Sequence, residues 1–102
     1  MTLPSDPQAH ACWLVRVRGR VQGVGFREAC VDHATLLGVT GWVRNRFDGS
    51  VEALLQGRVE QLARMRDWLR RGPPAARVED LTQSEVQPPY PRFDRFERRR
   101  TE

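Results

Sequence analysis

Apolar and polar residues alternate along the segment 12–20, Cys-Trp-Leu-Val-Arg-Val-Arg-Gly-Arg. One side of this alternation carries Trp13, Val15 and Val17, and the other carries Arg16 and Arg18. A period of two is typical of a strand with one buried face. The pattern therefore predicts a first strand whose apolar side faces a core.

The period changes after the glycine-containing stretch that follows this strand. Phe26, Cys30 and Leu37 recur at helical spacing, with either His33 or Ala34 between them as a further inward position. A glycine follows Leu37, where a helix would stop. The spacing predicts a helix of about three turns.

The next elements are two strands, 39–47 and 50–56, joined through Asp48-Gly49. An Asp-Gly pair between strand-like runs is a strong hairpin signal, so we expect antiparallel neighbours. A second helix is predicted over 59–71, and Gly72 followed by two prolines ends it. Its apolar stripe consists of Leu62, Met65 and Leu69.

Strands are also expected over 78–86 and 93–99. The order strand, helix, strand, strand, helix, strand predicts an α+β, ferredoxin-like split βαβ sandwich: an antiparallel sheet with both helices on one face. We expect a flexible tail over 1–11, which has two prolines and little apolar content, and a single domain over 12–100. Because this fold occurs in proteins with many different functions, the fold class alone does not indicate the function.

Composition restricts the class of protein. The chain has 102 residues, 39% hydrophobic and 29% charged, and it contains neither an apolar run long enough to cross a bilayer nor a secretion signal. We expect a cytoplasmic protein with no membrane association. Cys12 and Cys30 lack metal-like spacing and are expected to be buried thiols. The formal charge of +4 favours anionic ligands without identifying them.

Two local features suggest anion chemistry. A strand, a turn with Gly23 and Gly25, and a helix start would direct backbone N–H groups into one small space, and Arg27 could hold two phosphate oxygens there. Asn45 is unusual in a strand, and its amide could position a water if the first two strands lie close together. The alternatives are a simple turn with a solvated Arg27, and an asparagine that prepares the hairpin.

Four segments together carry a family resemblance. They are Gly-Arg-Val-Gln-Gly-Val-Gly-Phe-Arg, Leu-Gly-Val-Thr-Gly-Trp-Val-Arg-Asn, Asp-Gly-Ser-Val-Glu-Ala and Gly-Pro-Pro-Ala-Ala-Arg-Val. In this order they resemble the acylphosphatase family over nearly the whole chain after the tail. The resemblance implies hydrolysis of an acyl phosphate, a carboxyl–phosphate anhydride, to a carboxylate and inorganic phosphate without a metal. We also expect a monomer and no cofactor, although the sequence leaves the oligomeric state open.

The resemblance also implies the roles of individual residues. Arg27 would bind the phosphate, and Asn45 would position the attacking water. The backbone amides of the loop that share the phosphate would be those of Gln22, Gly23, Val24, Gly25 and Phe26. Arg98 departs from the family, where an apolar residue is expected, and Arg46 stands where a small hydroxyl residue is common. These departures concern the last strand and the outer rim of the site.

Two other functions are compatible with parts of the sequence. A basic sheet face could bind RNA, but Glu52 on that face would repel phosphates, so we expect no nucleic-acid partner. The residues that could share this face are Leu14, Arg16, Arg18, Trp42 and Arg44. A nearer alternative is a separate partner for a larger enzyme that handles carbamoyl phosphate. His33 is expected to border the core and Cys30 to be an inert thiol.

Overall fold

The computed structural model describes residues 9–102, which form two helices and a five-stranded sheet. The elements are β1 (His10–Arg20), α1 (Phe26–Leu37), β2 (Thr40–Asn45), β3 (Val51–Arg58), α2 (Val59–Arg71), β4 (Arg77–Glu85) and β5 (Phe96–Arg99). Residues 1–8 of the expected tail lie outside the described residues. The first strand begins two positions earlier than predicted, at His10.

The predicted βαββαβ order, with both helices on one face, is confirmed. The strand order in the sheet is β4-β1-β3-β2-β5. Three of the four pairings are antiparallel, namely β4 with β1, β1 with β3 and β3 with β2, but β5 runs parallel to β2. The predicted antiparallel sheet is therefore corrected to a mixed one at the edge formed by β5, because the chain crosses from the β4 edge through residues 86–95 and arrives at the β2 edge in the parallel direction.

The alternation in β1 places its apolar side in the core, as predicted. Trp13 lies opposite Leu55, and Val17 lies opposite Val51, in the antiparallel pairing of β1 with β3. All four residues are buried. The predicted stripe of α2, Leu62, Met65 and Leu69, is fully buried against this face. Burying each large apolar side chain contributes roughly 1.5–3 kcal/mol.

Two glycines in the left-handed region bound α1. Gly25 precedes the helix with φ 76°, and Gly38 follows it with φ 77° and donates its backbone N–H to the end of the helix. Between them lie twelve residues, which confirms the predicted three turns. Ala34 is the inward position, while the ring of His33 stacks on Trp68 with centroids 5.0 Å apart. Burial lowers the pKa of His33, and Arg71 adds to this.

The hairpin between β2 and β3 forms at Asp48-Gly49, as expected. Asp48 Oδ1 accepts hydrogen bonds from the backbone N–H of Ser50 at 2.9 Å and from its hydroxyl at 2.6 Å. These bonds favour the charged carboxylate and lower the pKa of Asp48 to about 2. The turn ends β2 at Asn45. Among residues 9–102, no helix is long and apolar enough to span a bilayer.

Candidate active site

The loop between β1 and α1 carries backbone N–H groups that the fold does not use. Within the described residues, the N–H groups of Gly23, Val24, Gly25 and Phe26 make no hydrogen bond to a backbone carbonyl. Gly23 has φ 73° and Gly25 has φ 76°, conformations that other residues rarely adopt. A loop of this kind at a helix start forms a concave surface suited to an anion.

The side chain of Gln22 attaches this loop to the hairpin. Its Nε2 donates to the carbonyl oxygens of Arg46 and Ser50, each at 2.8 Å. These carbonyls flank the turn between β2 and β3. The loop and the end of β2 are thereby joined, although β3 separates β1 from β2 in the sheet. The sequence predicted Gln22 as a backbone donor and missed this contact of its side chain.

The last strand positions the guanidinium of Arg27. Arg27 is the second residue of α1, and its Nη1 donates to the backbone carbonyl of Arg99 in β5 at 3.2 Å. The side chain is partly buried at this point. A single bond of this kind leaves most of the five N–H groups of the guanidinium available for a ligand.

Asn45 lies at the end of β2, next to the loop. Its backbone carbonyl accepts a hydrogen bond from the N–H of Glu102 at 3.1 Å, which holds the strand end from the other side. Within residues 9–102, the carboxamide of Asn45 forms no hydrogen bond with another side chain or with the backbone. The amide is therefore available to a molecule in the adjoining cavity.

A cavity of about 200 Å³ brings these groups together. It is lined by Val21, Gly23, Gly25, Phe26, Arg27, Glu28, Asn45 and Arg98. Five of the predicted site residues are thus in one place, whereas the side chain of Gln22 turns to the hairpin and Val24 packs against the core. The cavity suits a small ligand, because sites for drug-sized molecules usually exceed about 300 Å³.

Comparison with known proteins identifies the family. Residues 13–98 match the sequence profile of acylphosphatases. Over 97 residues the chain is 62% identical to acylphosphatase 1 of Ralstonia nicotianae, and the match covers 95% of each chain. The chain belongs to the acylphosphatase family. Acylphosphatases are hydrolases that act on acid anhydrides, so the predicted enzyme class is confirmed.

Solved structures agree with this assignment. An acylphosphatase from Coxiella burnetii matches with a TM-score of 0.84 at 33% identity, over 95% of this chain and 100% of that one. HypF of T. kodakarensis matches with a TM-score of 0.76 at 29% identity, over 89% of this chain but 12% of its own length. The acylphosphatase fold therefore occurs both as a chain of this size and as a small part of a longer one.

The open sheet face of this acylphosphatase-family chain is basic, but its charges are paired. Glu52 accepts hydrogen bonds from Arg16 at 2.8 Å and from Arg44 at 2.9 Å, and Arg46 lies 3.6 Å from the same carboxylate. The guanidinium of Arg44 covers the ring of Trp42 at 4.7 Å from its centroid. The ring of Trp42 is buried, so it offers no stacking surface to a base.

Neither a reactive thiol nor a metal-binding cluster is found in the described part of the chain. Cys12 and Cys30 are free and buried, and burial raises the pKa of each thiol. A thiol in this state is a poor nucleophile, as expected for Cys30. Over residues 9–102, no three His, Cys, Asp or Glu side chains group together in a way that could hold a metal ion.

The sequence reasoning missed Val21, Glu28 and Arg98 as cavity residues. In the sequence, Arg98 stands out only as a departure from the family pattern. It reaches the cavity because β5 pairs in parallel with β2, which places Arg98 opposite Val43. No local signal in the sequence indicates this pairing. Arg46, the other departure, lies beside Glu52 and carries the carbonyl that Gln22 binds.

Proposed function

We propose that this enzyme hydrolyses acyl phosphates to a carboxylate and inorganic phosphate without a metal ion. The proposal rests on one observation: Gly23, Gly25 and Phe26 of the loop, whose N–H groups have no backbone acceptor among residues 9–102, line the same cavity of about 200 Å³ as Arg27 and Asn45. In it, the loop amides at 22–26 and the guanidinium of Arg27 bind the phosphoryl oxygens. These donors stabilise negative charge on the phosphoryl group throughout the reaction.

Asn45 supplies the second part of the mechanism. Its carboxamide holds a water in line with the phosphorus, on the side opposite the acyl oxygen. The water oxygen forms a new bond to phosphorus, the bond from phosphorus to the acyl oxygen breaks, and the carboxylate leaves with that electron pair. The proton of the water passes to a phosphoryl oxygen. Because a carboxylate is a good leaving group, no strong general acid is required.

The direct test is the hydrolysis of benzoyl phosphate in the presence of EDTA. The wild type is compared with Arg27→Ala and with a matched control, Arg70→Ala, which removes an exposed arginine of α2. We expect Arg27→Ala to lower kcat/KM by about 10²–10³ or more and to abolish inhibition by phosphate. The control is expected to behave as wild type. Equal rates in the two variants would refute the role of Arg27.

The rates with carbamoyl phosphate and with other acyl phosphates distinguish a general acylphosphatase from a separate partner of a larger enzyme that handles carbamoyl phosphate. HypF matches this fold over a small part of its length, but this chain is similar over nearly its full length to acylphosphatase 1 of Ralstonia nicotianae. We therefore expect turnover of benzoyl, acetyl and carbamoyl phosphate alike, because the proposed contacts engage the phosphate. Turnover of carbamoyl phosphate alone would instead support the partner role.

We also propose that the enzyme acts as a monomer in the cytoplasm. Both cysteines are free, which is the usual state of thiols in a reducing compartment. In the described part of the chain, the large exposed apolar residues are Leu36, near the end of α1, and Phe47, in the hairpin. They belong to different segments of the fold, one helical and one in a turn. Sedimentation velocity and fractionation of cells that express the chain test these two statements.

A further inference from the structure

Two charged side chains line the cavity without a role in the proposed mechanism. They are Glu28, in the first turn of α1, and Arg98, in β5. Strand alternation explains how Arg98 reaches the cavity. Phe96 is buried in the core, and Arg98 lies two residues later on the same side of the strand. Arg99 points the other way and lies over Trp42 on the open face.

Arg98 differs from Arg27 in how the fold holds it. Arg27 is partly buried and bound to a backbone carbonyl. The side chain of Arg98 is 51% exposed, and its Nη1 lies 3.1 Å from Oε1 of Glu28, whose side chain is 75% exposed. Exposed ion pairs contribute little to stability, so the guanidinium can exchange this partner for another carboxylate at small cost. Glu28 is then free to turn into solvent.

The cavity thus contains two cationic positions with different chemistry. One, at the loop and Arg27, suits the phosphoryl group. The other, at Arg98, is a half-exposed side chain that lines the same cavity and has no role in the proposed phosphate binding, so it is available to the acyl part of a substrate. A guanidinium at such a position can bind a carboxylate through two parallel hydrogen bonds. A neutral acyl chain has no partner for this charge.

We propose that Arg98 is a specificity-determining residue that binds a second carboxylate on the acyl group. The favoured substrates are then acyl phosphates of short dicarboxylic acids. The inference rests on the proposed function, because it assigns the acyl side of the same site. The small volume of the cavity agrees with an acyl chain of a few carbons.

The experiment compares succinyl phosphate with butyryl phosphate, which have acyl chains of four carbons with and without a terminal carboxylate. The measured quantity is the ratio of kcat/KM for the two substrates. In Arg98→Leu we expect this ratio to fall about fivefold relative to wild type, as suits one exposed charge pair. The matched control is Arg95→Leu, which removes an exposed arginine that does not line the cavity.

A second variant tests the inference from the opposite direction. Glu28→Gln removes the carboxylate that competes with the substrate for Arg98. It also removes a negative charge that would repel an anionic acyl group. We expect the ratio to rise about threefold in this variant. Since Glu28 is exposed at the first turn of α1, the exchange leaves the fold intact, which circular dichroism verifies.

The outcomes separate the two proposals. A ratio in Arg98→Leu equal to that in Arg95→Leu overturns the role of Arg98, and so does an unchanged or lower ratio in Glu28→Gln. In both cases, continued hydrolysis of butyryl phosphate by the wild type leaves the proposed function standing. If the wild type hydrolyses neither substrate, the proposed function fails, and the inference about Arg98 fails with it.

Discussion

In the proposed mechanism, Arg27 binds the phosphate and Asn45 acts in the chemical step. Arg27 carries a charge and lies at the helix start, whereas Asn45 carries a neutral amide at the end of β2. A charged donor stabilises a bound phosphate in every state of the reaction. A neutral amide that holds a water acts only when the water attacks.

Substitution of Asn45 separates these two contributions. We expect Asn45→Ala to retain phosphate binding within about twofold and to lower kcat by about a hundredfold, because a positioned water is lost but the loop and Arg27 remain. The measurements are phosphate inhibition and steady-state kinetics with benzoyl phosphate. Gln83→Ala, an exposed amide in β4, is the control. A loss of phosphate binding as large as in Arg27→Ala would contradict the assigned role.

At the scale of elements, the site depends on how the loop is joined to the hairpin. The two hydrogen bonds of Gln22 connect the loop to both ends of the turn between β2 and β3, which is distant from it in the sequence. The carbonyl of Arg99 and the N–H of Glu102 connect the C-terminal segment to Arg27 and Asn45. Backbone groups of the hairpin turn and of the C-terminal segment therefore hold the loop, the guanidinium of Arg27 and the backbone of Asn45 in place.

Gln22→Ala tests the connection between loop and hairpin. We expect the free energy of unfolding to fall by about 1–3 kcal/mol, since two partly buried bonds are lost, and kcat/KM to fall about tenfold as the loop amides lose alignment. Urea denaturation and benzoyl phosphate kinetics measure the two effects. Gln87→Ala, which is exposed, is the control. Reduced stability with wild-type kinetics would mean that the bonds support the fold without aligning the loop.

For the molecule as a whole, the main electrostatic feature of the sheet is the buried carboxylate of Glu52. It is 4% exposed and lies in β3 between arginines of the two neighbouring strands. Burial alone would raise the pKa of Glu52, but the hydrogen bonds from Arg16 and Arg44 outweigh it, and the pKa lies below its ordinary value of 4.5. The carboxylate prevents repulsion among three clustered guanidinium groups.

This arrangement predicts a pH-dependent effect of Glu52→Gln. A carboxyl group whose pKa is lowered by folding stabilises the protein fully above pH 4.5, and this contribution declines as the pH falls through the lower, folded value. We expect the variant to lose about 1–3 kcal/mol at neutral pH and to approach the wild type in acid. Urea denaturation across this range measures it, with the exposed Glu79→Gln as control. A difference that does not change with pH would contradict the charge-based account.

Much of the architecture follows from local patterns along the chain. Three such patterns involve only residues that lie within a few positions of one another. They are the alternation in β1, the stripe of Leu62, Met65 and Leu69, and the Asp48-Gly49 turn. Helix ends are marked by glycines for the same local reason, since α1 begins after Gly25 and ends before Gly38. The glycine loop and Arg27 could therefore be located from the sequence, as could the βαββαβ order.

Contacts between distant segments could not be found in this way. Periodicity does not indicate which edge a last strand joins or in which direction it runs, so the parallel pairing of β5 with β2 appears first in the folded chain. That pairing brings Arg98 to the cavity and the carbonyl of Arg99 to Arg27. The amino-acid sequence thus specifies the elements and the chemistry of the loop, while long-range packing selects which additional side chains share the site, because their proximity depends on the pairing of β2 with β5, strands that lie more than fifty residues apart in the chain.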